Sequence, residues 1–222
     1  MAKLNYGIFG PVIGALSNIV GYIRKGQPLI RIKKNKTKKK KGRSDAQKAV
    51  NLRFKMAKTF ISEVEEFINV GFQHEVADTQ RIPENAATSH LIREAIIGKY
   101  PNLEIDYSAV LVSKGKLLPP VNPTVKLEGD RLKFTWDVDP GLGYRLNRDQ
   151  VMLLAYKPAS KNADYLLSGA RRNEGAEELE VMIRRKDHGP LLKDEFIETY
   201  IAFISDDRKR ISDSVYVGRV TI

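Results

Sequence analysis

The chain of 222 residues contains no cysteine. Disulfides, thiolate-bound metals, iron–sulfur clusters and a cysteine nucleophile are therefore excluded. Histidine is nearly as scarce. His74, His90 and His188 lie far apart, and no H-x-x-x-H pair occurs. Metal and general-base sites are built from constellations of side chains, so three scattered histidines give no basis for one. There is no G-x-S-x-G, and the glycines at 7, 10 and 14 lack the Lys and Ser or Thr of a phosphate-binding loop. Glu63, Glu65 and Glu66 read as surface acids of a helix. Asp206 and Asp207 read as a hairpin turn, where Asp side chains bond to their own backbone. The chain is thus expected to be non-enzymatic, with no cofactor, no metal and no evident small-molecule substrate.

Negative charge is missing from one end. Residues 1–60 carry sixteen Lys and Arg against a single acid, Asp45, so the rest of a chain of net charge +11 is mildly acidic. Such asymmetry points to one end meeting a polyanion or an acidic surface. Reading of bases is not expected, because no zinc finger and no aromatic-rich RNA-binding motif is present. Tyr22, Phe54 and Phe60 are the aromatics near the charge, and the two phenylalanines are expected to face the core.

Long apolar runs are also lacking. Residues 6–23 come nearest, but Pro11, Ser17, Asn18 and four glycines interrupt them. Only Lys3 precedes the run, whereas a signal peptide places its charge before the apolar stretch. A membrane partner is not expected. A cytoplasmic location or a phage-like particle is.

What is present divides in two. Interior glycine costs a helix roughly 1 kcal/mol, so Gly7, Gly10, Gly14, Gly21 and Gly26 favour short strands and tight turns. Residues 19–23 and 28–32 are expected to pair around Lys25-Gly26. Residues 33–43 form a Lys-rich loop. A long helix is predicted over 44–70, with Ser44 as cap and Gln47 completing a capping box. Its apolar stripe is Ala49, Leu52, Met56, Phe60, Val64 and Phe67, and Gly71 stops it. Lys48, Arg53, Lys55 and Lys58 crowd its first half and Glu63, Glu65 and Glu66 its second, the reverse of what the helix dipole prefers. A second helix is expected over 85–99 and a strand over 105–112. The Pro-rich residues 117–124 then mark a boundary.

Beyond it the period becomes two. Leu132, Phe134 and Trp136 alternate with polar residues. Val151, Leu153 and Ala155 are read the same way, as are Leu179, Val181 and Ile183. The runs 200–204 and Val215, Val217, Val220 follow, with turn signals at 128–130, 139–141, 161–162 and 205–207. About seven short strands in about 100 residues is the pattern of an immunoglobulin-like sandwich, and Trp136 with Tyr200 to Phe203 resembles its fibronectin type III version. The predicted class is α+β. Residues 1–116 form a basic region of short strands and two helices, and 123–222 form an all-β sandwich.

Three segments carry a wider resemblance: GIFGPVIGALSNIVGYIRKGQPLIR, SDAQKAVNLRFKMAKTF and NAATSHLIREAIIGKYPNLEIDYSAVLVSKGKL. With Asp149 to Tyr156 and Leu167 to Arg172, they resemble a large family of uncharacterised proteins from Bacteroidota. Ile23 stands where that family usually has Trp, and the lysine tract is longer. The resemblance implies the two-part layout and no established activity, and it transfers no site residue.

The function read from the sequence is a non-catalytic structural or assembly subunit of a homo-oligomer, filament or phage-like particle. Its N-terminal ribbon would pack between subunits through Ile8, Phe9, Val12, Ile13, Ile19, Val20 and Tyr22. The alternative is nucleic-acid or polyanion binding through Arg24, Lys25, Arg31, Lys33, Lys34, Lys36, Lys38, Lys39, Lys40, Lys41, Arg43, Arg53 and Lys55. Such binding would be backbone-directed and salt-sensitive.

Overall fold

The computed structural model describes residues 3–4, 10–34, 42–182 and 196–222. The expectations placed on Ile8, Phe9, Lys36, Lys38, Lys39, Lys40, Lys41, Ile183 and His188 fall outside those residues. The chain divides into two compact units, Met1–Ser44 and Asp45–Ile222.

The first unit is a four-stranded antiparallel sheet in the order β1 (Lys3–Leu4), β2 (Val12–Leu16), β3 (Ile19–Arg24) and β4 (Gln27–Ile32). Lys25 and Gly26 form the two-residue turn between β3 and β4, both with positive φ (48° and 77°). That is the backbone a tight hairpin requires and glycine adopts at no steric cost. Gly21 is needed for a different reason: a Cβ there would lie 1.9 Å from the Val12 carbonyl oxygen of the neighbouring strand. Pro28 lies in β4, an edge strand, where its missing N–H breaks the least pairing.

The second unit is layered. Helix α1 (Asp45–Glu63) begins directly after Ser44, and α2 (Glu65–Gly71) follows it. The expected single long helix is thus broken at Val64, which is fully buried and leaves the helical backbone with ψ near 24°. Helix α3 (Pro83–His90) starts on a proline and runs into a wider turn at Leu91–Ala95. The second helix was expected to reach residue 99. Instead β5 (Ile96–Lys99) pairs with β6 (Asn102–Ile105) as a hairpin around Tyr100-Pro101. The β-branched pair Ile96-Ile97 prefers extended backbone, and the partner strand turns that preference into pairing. The strand expected over 105–112 is accordingly shorter and earlier, and a 3₁₀ turn follows at Tyr107–Ala109.

Seven strands complete the unit: β7 (Thr124–Glu128), β8 (Arg131–Thr135), β9 (Gln150–Lys157), β10 (Asn162–Leu166), β11 (Ala176–Glu180), β12 (Phe196–Ile204) and β13 (Val215–Thr221). A short helix, α4 (Tyr144–Asn147), lies between β8 and β9. The strands form two open antiparallel sheets, β11-β8-β7 and β10-β9-β12-β13. One hydrophobic core joins Leu132, Phe134 and Leu179 of the first sheet to Val151, Leu153, Ile201 and Phe203 of the second. The opposite face of β9 and β12 presents Met152, Leu154, Tyr156, Tyr200, Ala202 and Ile204. These pack in a second core with Phe60, Ile61, Val64, Phe67 and Leu91 of the helical region. The four-stranded sheet is therefore covered on both sides. The Pro-rich residues 117–124 fall inside this unit.

Phe60 sits edge-on to Tyr156, ring centroids 4.8 Å apart. The Tyr165 hydroxyl donates to the Glu66 carboxylate, a further bond between sheet and helix. Phe54, expected in the core, is 54% exposed. It lies seven residues before the buried Ile61, on nearly the same face, but no residue of α1 before Ala57 is buried.

Candidate functional site

The ribbon of the first unit combines apolar surface with one sign of charge. A sheet one layer thick leaves both faces open unless something covers them. Among described residues 10–34 only Gly21 is buried. Leu16, Tyr22, Ile23, Leu29, Ile30 and Ile32 are exposed, Ile32 to 76% and Ile30 to 64%. Of the residues singled out for assembly, Val12, Ile13, Ile19 and Val20 are half-buried and Tyr22 is exposed. They lie on β2 and β3, whereas the most exposed apolar side chains lie on β4. The structure thus adds Leu29, Ile30 and Ile32. Residues 28–32 are legible as a strand, but the strand pair gives no hint of which members stay uncovered.

The basic residues of this unit share the surface. Residues 1–44 hold twelve Lys and Arg and no Asp or Glu. Arg24, Lys25, Arg31, Lys33, Lys34 and Arg43 are all exposed. Lys55 is exposed on α1 in the second unit. Arg53 is half-buried there, its guanidinium donating to the Gly98 carbonyl at 3.4 Å. The reversed charge order on α1 has a local partner at its start, where Lys48 Nζ lies 2.9 Å from Asp45. Farther along, Lys58 pairs with Glu84 of α3 at 2.8 Å.

A different arrangement occupies one end of the two packed sheets. The β8–β9 and β12–β13 connections come together around a pocket of about 310 Å³ lined by Tyr144, Arg145, Arg148, Asp149, Ser205, Asp206, Asp207 and Arg210. Arg148 pairs with Asp206 at 2.9 Å, and Arg145 with Asp207 at 3.4 Å. Asp207 also accepts from the Ser205 hydroxyl (2.7 Å) and the Lys209 amide (3.2 Å). These bonds hold its carboxyl down at about 2, the Ser205 hydroxyl contributing most. The turn reading of Asp206-Asp207 matches this local bonding.

Asp149 is the floor of the pocket. Its side chain is 1% exposed and pairs with Arg172, itself 5% exposed, at 3.3 Å. Burial pushes the Asp149 carboxyl up, and the Arg172 charge works against that rise. The Arg172 guanidinium lies 3.8 Å above the Phe203 ring and donates to the Leu118 carbonyl at 2.7 Å. The Arg172 backbone carbonyl accepts from the Trp136 indole at 2.8 Å. Asp149 Oδ1, Arg148 Nε and Arg210 Nη2 are buried with no hydrogen-bond partner among the described residues. Sequence reasoning marks none of Arg148, Asp149, Arg172 and Arg210 as a site residue. The signal was the pair of Arg- and Asp-rich loops, 144–149 and 205–210, which antiparallel alternation brings to the same end once the strands are paired.

Among the described residues, no group of three His, Asp or Glu side chains is placed to hold a metal ion. His74 Nε2 lies 2.9 Å from the Arg208 carbonyl, beside a second pocket of about 380 Å³ bounded by Lys114, Lys116 and Asp213. His90 ends α3. Among the described residues, no helix is long and apolar enough to cross a membrane.

A search of curated proteins finds no match. A family model, described as a family of unknown function (DUF6266), matches residues 11–218, which include β2 to β4 and the whole layered unit up to β13. The chain belongs to the DUF6266 family.

Proposed function

We propose that this protein is a non-catalytic structural subunit that assembles through its N-terminal sheet, displaying an immunoglobulin-like module. The observation carrying the reading is the ribbon. Four strands are formed and paired, yet Leu16, Tyr22, Ile23, Leu29, Ile30 and Ile32 stay open to solvent. By register, Leu16, Ile23, Ile30 and Ile32 share one face of the sheet, and Tyr22 and Leu29 share the other; an exposed apolar face of this kind marks an interaction site. An open edge such as β4 is also a template for a further strand. Strand order supports the immunoglobulin-like part. Of the seven strands, the first, second and fifth share one sheet and the third, sixth and seventh the other, as in the constant-type order, while the fourth, β10, joins the second sheet rather than the first. Fibronectin type III-like character is supported by Trp136 packed edge-on to Phe203. A homo-oligomer, a filament or a phage-like particle would each use such a subunit. Light scattering on the full chain, and on the chain lacking residues 1–44, tests it: assembly should require those residues.

A second reading rests on charge. Twelve Lys and Arg with no acid in residues 1–44 leave no carboxylate side chain within that unit to balance them. A nucleic-acid backbone or another polyanion would. Titration against DNA and RNA at two salt concentrations tests it, with affinity expected to fall steeply as salt rises.

A further inference from the structure

We propose that the pocket at the end of the packed sheets binds a neutral saccharide. The proposal is independent of the assembly reading.

The first ground is the set of unpartnered atoms. Asp149 Oδ1 is an acceptor, and Arg148 Nε and Arg210 Nη2 are donors. All three are buried without a partner among the described residues. Leaving such groups unmade costs about 1–3 kcal/mol each, and more where they are charged. They belong to residues lining one pocket. A sugar hydroxyl both donates and accepts, so neighbouring hydroxyls can serve an aspartate and an arginine at once.

The second ground is charge balance. The pocket holds three arginines and three aspartates. Two of the arginines are already paired, with Asp206 and Asp207. Counting Arg172 behind Asp149, a strongly anionic ligand would meet three carboxylates and a cationic one four guanidiniums. A neutral ligand rich in hydroxyls meets no such repulsion, and it gains charge-assisted hydrogen bonds from both signs.

The third ground is Tyr144. It is 77% exposed at the pocket mouth. Arg148 lies over its ring at 5.6 Å and donates to its hydroxyl at 3.3 Å, fixing the ring's position. An exposed ring held in place offers an apolar platform for the C–H face of a pyranose. The volume, about 310 Å³, is at the small end of ligand sites, roughly 300–1,000 Å³. It suits a mono- or disaccharide.

The test is ligand-observed and protein-observed NMR on the full chain. The probes are glucose, galactose, mannose, N-acetylglucosamine and their common disaccharides, with glycine, alanine and inorganic phosphate as separate arms. At least one sugar should bind saturably with a Kd of about 1 mM or tighter. Tyr144→Ala should weaken that binding by about tenfold or more without moving the melting temperature, because the ring is mostly exposed. Arg210→Gln should weaken it as well. The proposal is overturned if no sugar perturbs the protein at about 20 mM. Binding of amino acids or phosphate in place of sugars overturns it too. So does sugar binding that is unchanged in Tyr144→Ala, or a sugar-soaked crystal in which Asp149 Oδ1 holds only water.

Discussion

The two units are both built on four-stranded antiparallel sheets, and they treat those sheets in opposite ways. In β10-β9-β12-β13 the central strands are buried on each face, one against β11-β8-β7 and the other against the helices. In β1-β2-β3-β4, among the described residues, a single glycine is buried. Hydrogen-bond pairing is therefore common to both and is not what separates them. Apolar burial is. The hydrophobic effect scales with area removed from water, about 25 cal/mol per Å², so the layered unit carries its stability internally. The ribbon's exposed side chains contribute little until something covers them.

The comparison breaks most visibly in the core. Phe60→Ala should destabilise the protein by about 3–5 kcal/mol, read by urea unfolding, because the ring is buried between helix and sheet. A loss below about 1 kcal/mol would mean that the helices are an appendage rather than a layer. The shared layer is sharpened by a double-mutant cycle. Phe60→Leu and Tyr156→Leu should couple by about 0.5–1.5 kcal/mol through their edge-to-face contact. Additivity would place the two rings in separate cooperative units.

A smaller effect comes from His90. Burial lowers its pKa below the ordinary 6.5. As pH falls through that value the unfolded chain takes up the proton first, so the unfolded state binds more protons and stability drops. Unfolding free energy should decline as pH falls below 6.5, and His90→Gln should flatten that part of the profile. An unchanged slope in His90→Gln would assign the pH dependence to other groups. The smallest effect on folding belongs to the ribbon. Ile32→Ser and Ile30→Ser should each change global stability by no more than about 0.5 kcal/mol. They should nevertheless reduce self-association in sedimentation. A large loss of stability would show that these side chains are already covered within the chain.

The same contrast explains how far the sequence could be read. The β3–β4 hairpin was legible because Lys25-Gly26 dictates its own turn. Five of the seven later strands, β8, β9, β11, β12 and β13, are legible as apolar runs between turn residues, whereas β7 and β10 are not. The three-layer arrangement is less legible, and β9 shows why. Val151, Leu153 and Ala155 read as one alternating face, but Met152, Leu154 and Tyr156 lie between them. An unbroken apolar run of this length means that both faces are buried, and the second face needed the helices to cover it. Tyr200 to Ile204 carried the same signal. The break at Val64 and the conversion of Ile96-Ile97 to strand depend on tertiary partners that no local spacing encodes. The pocket was invisible for a similar reason. Its residues are ordinary loop Arg and Asp, and only strand pairing brings 144–149 beside 205–210.

The central claim is that the ribbon is an interface awaiting a partner. Size-exclusion chromatography with light scattering tests it most directly, on the full chain and on the chain lacking residues 1–44, at matched concentration. The account predicts a concentration-dependent mass above the 25.1 kDa monomer for the full chain, and a monomer of unchanged thermal stability for the truncated one. A full chain that stays monomeric at every concentration, or an assembly that survives the truncation, would contradict it.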